Sequence, residues 1–417
     1  MRLKTSFFLL LSFSALLLLA SCSSQTAATP TANTVSPPTP TLIPATATST
    51  GAGCTEINTA PTPEASSSNF PAVTATDFTR GPSNAPVTMI EYCDFQTPIC
   101  LSMAAVASNL VYKHPNDLQF VFRPVPIAAL DKSQMAVDAA LAADEQGHFW
   151  EMYDVLFQKN SEWANLSETD FESWLKKQAS SIGLDASKFS AALNSPETAN
   201  KAKSMFDAAN TAGLQAVPLV LLNGKPQPLF QLDFNTMDST ISLIALGAKQ
   251  FKSCPAFNID PSKQYIATIH TEKGDIVIQL FPDKAPLAVN SFVFLAQNGW
   301  YNGVTFHRVI PGFVAQAGDP SGTGNGGPGY VFNDETNNGL QFDKPGVVGM
   351  ANSGPNTNGS QFFITYTPQP SLNGRYTIFG QVLQGMNIVE SLTPRDASKD
   401  PGAAPGDKII SVTIEVK

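Results

Sequence analysis

The stretch CDFQTPIC, residues 93–100, holds the pair of side chains in this chain best placed for redox chemistry, Cys93 and Cys100. Thiol exchange needs a low-pKa thiolate that attacks and a second thiol that resolves the mixed disulfide. In a C-x-x-C arrangement ending at Cys100 the attacking sulfur would stand at position 97, and Thr97 stands there instead. A threonine forms neither a stable thiolate nor a disulfide, so the usual dithiol cycle is absent. Two readings follow: a structural or peptide-binding site without the thiol pair, or a rewired pair in which Cys93 substitutes for the missing partner. The second requires a backbone that brings the two Cα atoms within about 7 Å.

Such residues need a strand to deliver them and a helix to present them. The run VTMIEY, residues 87–92, reads as a buried strand, and residues 98–113 read as a helix opened by Pro98. A second strand is predicted at 118–123, Ala-rich helices lie near 135–143 and 149–153, and a strand at 217–222 ends in Asn223-Gly224, a type I′ turn signal. A last helix spans about 234–250. Strands alternating with helices predict an α/β sandwich around one sheet over residues 70–255.

At 417 residues and 43% apolar, the chain is long enough for two folded units with proper cores. A formal charge of −9 and a pI near 5.0 leave no basic footprint, which argues against a nucleic-acid partner. Residues 1–22 read as a leader: Arg2 and Lys4 precede an apolar run shorter than the ~20 residues of a spanning helix. The sequence LASC, residues 19–22, resembles a bacterial lipobox, which implies a lipid on Cys22. An ordinary secretory signal and a retained helix are the alternatives, and all of them place the folded part outside the cytoplasm, with the lipid reading anchoring it to the bacterial cell membrane.

Residues 23–69, rich in Ser, Thr, Pro and Ala, are expected to be a disordered tether with a reach of roughly 40 Å. Of the five cysteines, the four besides Cys22 allow three pairings, and an oxidising compartment makes disulfides the default. Cys54 precedes the α/β domain and Cys254 follows its last helix, so a Cys54–Cys254 bridge would tie the two ends together and remove chain entropy from the unfolded state.

Residues 70–255 resemble the DsbA-like branch of the thioredoxin fold. The resemblance rests on the strand followed by DFQTPIC, on the helix start Gly147-His148-Phe149-Trp150 in the inserted helical region, and on Ala216-Val217-Pro218 before a strand. It implies that Pro218 is cis and faces the active site, and that a helix N-terminus would stabilise a thiolate at the position of Thr97. Cys100 matches the buried resolving position. His148, with no second His or Cys at ligand spacing, is read as a helix-starting residue.

From residue 264 the texture changes to a β-rich hairpin over about 266–280, a helix at about 286–298 and many short strands, which predicts a closed β-barrel over 264–417. Taken singly, Arg308 would be a surface ion-pair partner, and Phe313 and Phe363 would be core. The motifs FHRVIPGFVAQAGD (306–319) and GMANSGPNTNGSQFFI (349–364), with Phe379-Gly380, look like cyclophilin, the peptidyl-prolyl cis-trans isomerase family. The resemblance implies that Arg308 aims a donor at the prolyl nitrogen, with Phe313 and Gln316 beside it. Phe313, Phe363 and Leu372 would hold the proline ring, with Val314 at its edge. Gln316, Asn352 and Gln361 would hold the peptide backbone. His307 would be buried, hydrogen-bonded and structural. Ser371 and Tyr376 depart from familiar cyclophilins at the pocket rim, where many have Trp and His. The activity should survive this change, whereas a missing indole weakens the contact with cyclosporin.

The whole sequence thus predicts a lipid-anchored, extracytoplasmic isomerase acting on unfolded or proline-containing polypeptides. No cofactor and no metal is called for. The alternatives are a bifunctional isomerase and thiol oxidoreductase using Cys93 and Cys100, and a lipoprotein that only grips peptides.

Overall fold

The structure, a computed structural model, describes residues 47–49, 53–57, 69–396 and 403–417. The leader at 1–22, the lipid site at Cys22 and most of the expected tether lie outside the described residues.

The upstream domain is thioredoxin-like. Its five-stranded sheet runs Phe78–Arg80, Leu118–Pro124, Val87–Cys93, Leu219–Leu222, Lys225–Pro226 in spatial order. The second and third of these are parallel, joined by helix Pro98–Lys113 as a crossover, and the other pairs are antiparallel. Asn223 and Gly224 both take positive φ (46° and 78°) between Leu222 and its partner Lys225, as the turn signal required. The helical insertion includes Ser133–Asp144, Phe149–Gln158, Glu168–Ser181, Ala186–Leu193 and Pro196–Thr211. Along Val87–Cys93 the faces alternate. Met89 and Cys93 enter the main core with the inserted helices and helix Phe234–Gly247, while Ile90 and Tyr92 pack on the opposite face with Val121 and Leu221. The Val217-Pro218 bond is cis, and His148 stands at the N-cap of Phe149–Gln158.

The downstream domain carries one nine-stranded antiparallel sheet. Its spatial order is Arg395–Asp396, Arg308–Ile310, Val314–Ala317, Phe362–Thr365, Val347–Met350, Ile378–Gln384, Gly274–Leu280, Tyr265–Thr271, Ile409–Val416. The expectation of a closed barrel needs correction. Among the described residues the two end strands share no ladder, and near them the gap is crossed by an isolated bridge, Thr305 to Lys408, and by backbone hydrogen bonds between residues 303–306 and 407–409. The sheet therefore curls into a half-barrel around a core that includes Ile269, Ile278, Phe292, Phe362 and Phe379, covered by helix Pro286–Gln297. The physical reason is length: Arg395–Asp396 spans two residues, too short to ladder with anything but its neighbour.

The tether expectation also changes in its middle. Cys54–Ile57 is a strand, paired with Tyr330–Phe332 of the downstream domain. Thr and Ile favour extended backbone, and the segment pairs locally with Ala47–Ser49 on one side and with the strand edge at Tyr330–Phe332 on the other.

Candidate active site

Three neighbouring strands bring the predicted isomerase residues together. Arg308 is opposite Gln316, and Gln316 is opposite Phe363, so the three stand in one row across the sheet. Residues opposed in this way project from the same face. That face is the outer one, and it holds an apolar cluster separate from the barrel core: Val314, Phe342, Val347, Phe363 and Ile378 buried, with Phe313, Leu372 and Tyr376 packed on its rim. The Arg308 guanidinium carbon lies 5.6 Å from the centroid of the Phe313 ring, which keeps the cation at the edge of the apolar surface. Phe363 stacks on Phe342 (5.5 Å, 24°) and meets Tyr376 edge-on (5.5 Å, 89°).

The amides form a frame at one side. Gln316 Nε2 donates to Gln361 Oε1 (2.9 Å), and Gln361 Nε2 donates to the carbonyls of Gly324 and Gly326 (2.9 Å each). Asn352 Nδ2 donates to Arg375 O (3.1 Å), which orients that side chain near the rim. Ser371 is exposed and Tyr376 half-buried, where the sequence placed the rim.

Three features escaped the sequence reading. Phe342 lies outside both motifs and completes the apolar floor. Gly349 is opposite Phe363, and a Cβ there would sit 2.8 Å from Phe363 Cζ and 2.9 Å from Phe342 Cζ, so the two rings need a glycine beneath them. Asp319, fully buried, holds the loop after Val314–Ala317: its carboxylate accepts from Ser321 N (2.8 Å), Gly324 N (2.7 Å) and Gly326 N (3.0 Å). A run such as GDPSGTGNGG signals a loop, not which residue gathers its amides. His307 is buried as expected, but neither ring nitrogen has a hydrogen-bond partner among the described residues. Burial lowers its pKa, against the raising pull of Asp319.

The thiol site is ordered differently from an exposed dithiol. Cys93 and Cys100 form a disulfide with Cα atoms 5.7 Å apart, and both residues are fully buried. Asp94 builds the turn between them. Its Oδ1 accepts from Gln96 N (2.8 Å), Thr97 N (2.7 Å) and Thr97 Oγ1 (2.9 Å), and its Oδ2 accepts from Ser133 Oγ. Asp94 N donates to Cys100 Sγ (3.2 Å). Thr97 is the N-cap of helix Pro98–Lys113 without a side-chain cap bond, its hydroxyl donating to Asp94 instead. Pro218, in its cis bond, is buried. Two strand positions before Cys93, Glu91 is fully buried with no partner for either carboxylate oxygen among the described residues, and burial pushes its pKa up to about 8. A charge inside an apolar strand was the signal for it in VTMIEYC.

The second disulfide, Cys54–Cys254, spans 200 residues with Cα atoms 6.2 Å apart. The expected Cys54–Cys254 bridge is therefore present, and so is the Cys93–Cys100 bridge that the sequence left open.

Comparison with known proteins follows this division. The family profile "Cyclophilin type peptidyl-prolyl cis-trans isomerase/CLD" matches residues 266–414, and the profile "Thioredoxin" matches residues 73–241. The peptidyl-prolyl cis-trans isomerase A of Mycobacterium tuberculosis is 44% identical over 180 residues, covering 39% of this chain and 98% of the relative. Peptidyl-prolyl cis-trans isomerase CYP18-1 of Arabidopsis thaliana is 48% identical over 144 residues, covering 34% and 86%. A solved cyclophilin type isomerase from Cryptosporidium parvum shares 40% identity with a TM-score of 0.34, covering 37% of this chain and 98% of its own. Identity of this order along almost the whole of a relative settles the downstream domain: the chain belongs to the cyclophilin-type peptidyl-prolyl cis-trans isomerase family and carries a thioredoxin-like domain ahead of it.

Proposed function

We propose that this isomerase assists the folding of extracytoplasmic polypeptides, with Arg308, Phe313 and Gln316 at the reacting bond. The observation that carries the reading is the row Arg308, Gln316, Phe363 on one face, with an apolar floor beside a cation. Rotation about an X-Pro bond is opposed by amide resonance, a barrier of ~18–20 kcal/mol. A proline ring seated on Phe363, Phe313 and Leu372, with Val314 and Tyr376 bounding the seat, places its nitrogen where the Arg308 guanidinium can donate to it. That donation draws the lone pair out of conjugation as the bond twists. Gln316, Gln361 and Asn352 hold the flanking peptide, so the chain rotates on one side of the bond while the other stays fixed. No nucleophile takes part.

The upstream domain is read as DsbA-like, with Cys93–Cys100 as a structural bridge and the domain as a holder of unfolded clients. The bifunctional alternative draws support from the bridge itself. Full burial of both residues weighs against it, because exchange needs a sulfur that an attacking thiolate can reach. The boundaries 70–255 and 264–417 serve as the working domain limits, and a lipid on Cys22, ahead of the Ser/Thr/Pro/Ala-rich residues 23–69, would hold the protein at the outer face of a bacterial cell membrane. Its partners are proline-containing chains and the membrane.

The test is prolyl isomerisation of a short peptide by wild type and Arg308→Ala. Loss of one preorganised donor should lower kcat/KM by about 100-fold while the melting temperature is unchanged. A variant as fast as wild type would remove Arg308 from the reaction.

A further inference from the structure

The portion of the isomerase that matches its family begins at residue 266, yet two earlier segments are built into its surface. Cys54–Ile57 extends the edge at Tyr330–Phe332, with Ile57 N donating to Gly329 O (2.9 Å) and Asn333 N donating to Gly53 O (2.8 Å). From the other side comes the chain that follows helix Phe234–Gly247. Gln250 Nε2 donates to Gly327 O (2.8 Å) and Phe251 N donates to Pro328 O (2.9 Å). The seating leaves no spare room: a Cβ on Gly329 would meet Phe251 O at 2.2 Å, and one on Gly326 would meet Leu246 Cδ2 at 2.6 Å. The Cys54–Cys254 disulfide fastens these two straps to each other, and both of its half-buried residues pack against the half-barrel core.

The loop they grip is the one that holds the amide frame. Gly324 and Gly326 present their carbonyls to Gln361, Gln361 accepts from Gln316, and Gln316 stands opposite Arg308. Strap, loop backbone, Gln361 and Gln316 form one continuous chain of contacts.

We propose that the Cys54–Cys254 disulfide is a positioning element of the isomerase, and that its reduction by a dithiol loosens the frame and weakens peptide binding. The chemistry balances: the dithiol gives two electrons and two protons, Cys54 and Cys254 become thiols, and the dithiol closes to its own disulfide. The freed strand Cys54–Ile57 then keeps only the backbone bonds of a four-residue strand between Ala47–Ser49 and Tyr330–Phe332, which are marginal without closure. The half-buried bridge at Cys54 and Cys254 opens before the fully buried bridge at Cys93 and Cys100.

This inference rests on the assignment of Gln316 and Gln361 to peptide holding, and the experiment separates the two. kcat and KM for a prolyl test peptide are measured on the full chain, oxidised and after graded dithiothreitol, with free thiols located by peptide mass spectrometry. Once Cys54 and Cys254 are open, KM should rise about five-fold, the equivalent of one neutral hydrogen bond, with kcat changed less than about two-fold. Cys54→Ser/Cys254→Ser should show the same KM without reductant and no response to it, whereas a bridge that merely stabilises the fold would move the melting temperature and leave KM alone at 25 °C. In the oxidised chain, Gln361→Ala should raise KM as well. If Gln361→Ala raises KM and opening the disulfide does not, the positioning role is overturned. If neither moves KM, the frame assignment is overturned and the positioning role with it.

Discussion

Replacing Glu91 by glutamine should make the thioredoxin-like domain more stable, and by an amount that depends on pH. Glu91 lies on Val87–Cys93, opposite Phe122 and Val220 in the neighbouring strands, with no partner for either oxygen among the described residues. Burial raises its pKa from 4.5 to about 8. The folded state therefore holds a proton that the unfolded chain releases above pH 4.5. Stability falls as pH rises through this window at about 1.4 kcal/mol per pH unit, and the loss is complete above about pH 8. A shift of this size amounts to a penalty of order 5 kcal/mol at pH 8 relative to pH 4.5. Glutamine has the shape of the protonated acid and does not titrate, so Glu91→Gln should match wild type near pH 4.5 and exceed it increasingly toward pH 8. Urea unfolding followed by tryptophan emission reads this directly, because Trp150, Trp163 and Trp174 report the upstream domain and Trp300 the isomerase. Parallel stability curves for variant and wild type between pH 5 and 8 would refute the argument.

Two further outcomes can be checked simply. Under native conditions without reductant, neither Cys93 nor Cys100 should be alkylated, and mild reductant should leave them bridged until the domain unfolds; rapid opening of that bridge in the folded protein would restore the bifunctional reading. In a bacterial host, the chain should incorporate labelled fatty acid, and Cys22→Ser should abolish this and release the protein from the membrane fraction; a labelled Cys22→Ser would place the lipid elsewhere.

How far the sequence could be read depended on the distance over which each feature is decided. The strand at 87–92 and the helix opened by Pro98 are local patterns, and so is the two-residue turn at Asn223-Gly224. The motifs around Arg308 and Phe363 are long enough to identify the isomerase without any structure. Cys54–Ile57 was invisible because its local partner, Ala47–Ser49, is three residues without a strand pattern and its other partner begins only at Tyr330. The closed barrel was inferred from the number of short strands, while closure depends on how the end strands Arg395–Asp396 and Ile409–Val416 meet, and among the described residues they share no ladder. Glu91 was written plainly in an apolar run, but its lack of a partner is a property of the packed core. Phe342 and Gly349 belong to the site only through Phe363, a contact made across strands rather than along the chain.

The strand at Cys54–Ile57 also sets a timetable. A ribosome makes it, with its neighbour Ala47–Ser49, before every other described strand of the isomerase, which follows the thioredoxin-like domain. Cys93 and Cys100, seven residues apart, can find each other almost at once, whereas Cys54 must wait for a partner 200 residues downstream. At ~5–20 residues per second that wait is about 10–40 s. During it, the thiol of Cys54 can make a wrong match, and prompt closure of the Cys93–Cys100 pair removes the two nearest candidates downstream of it.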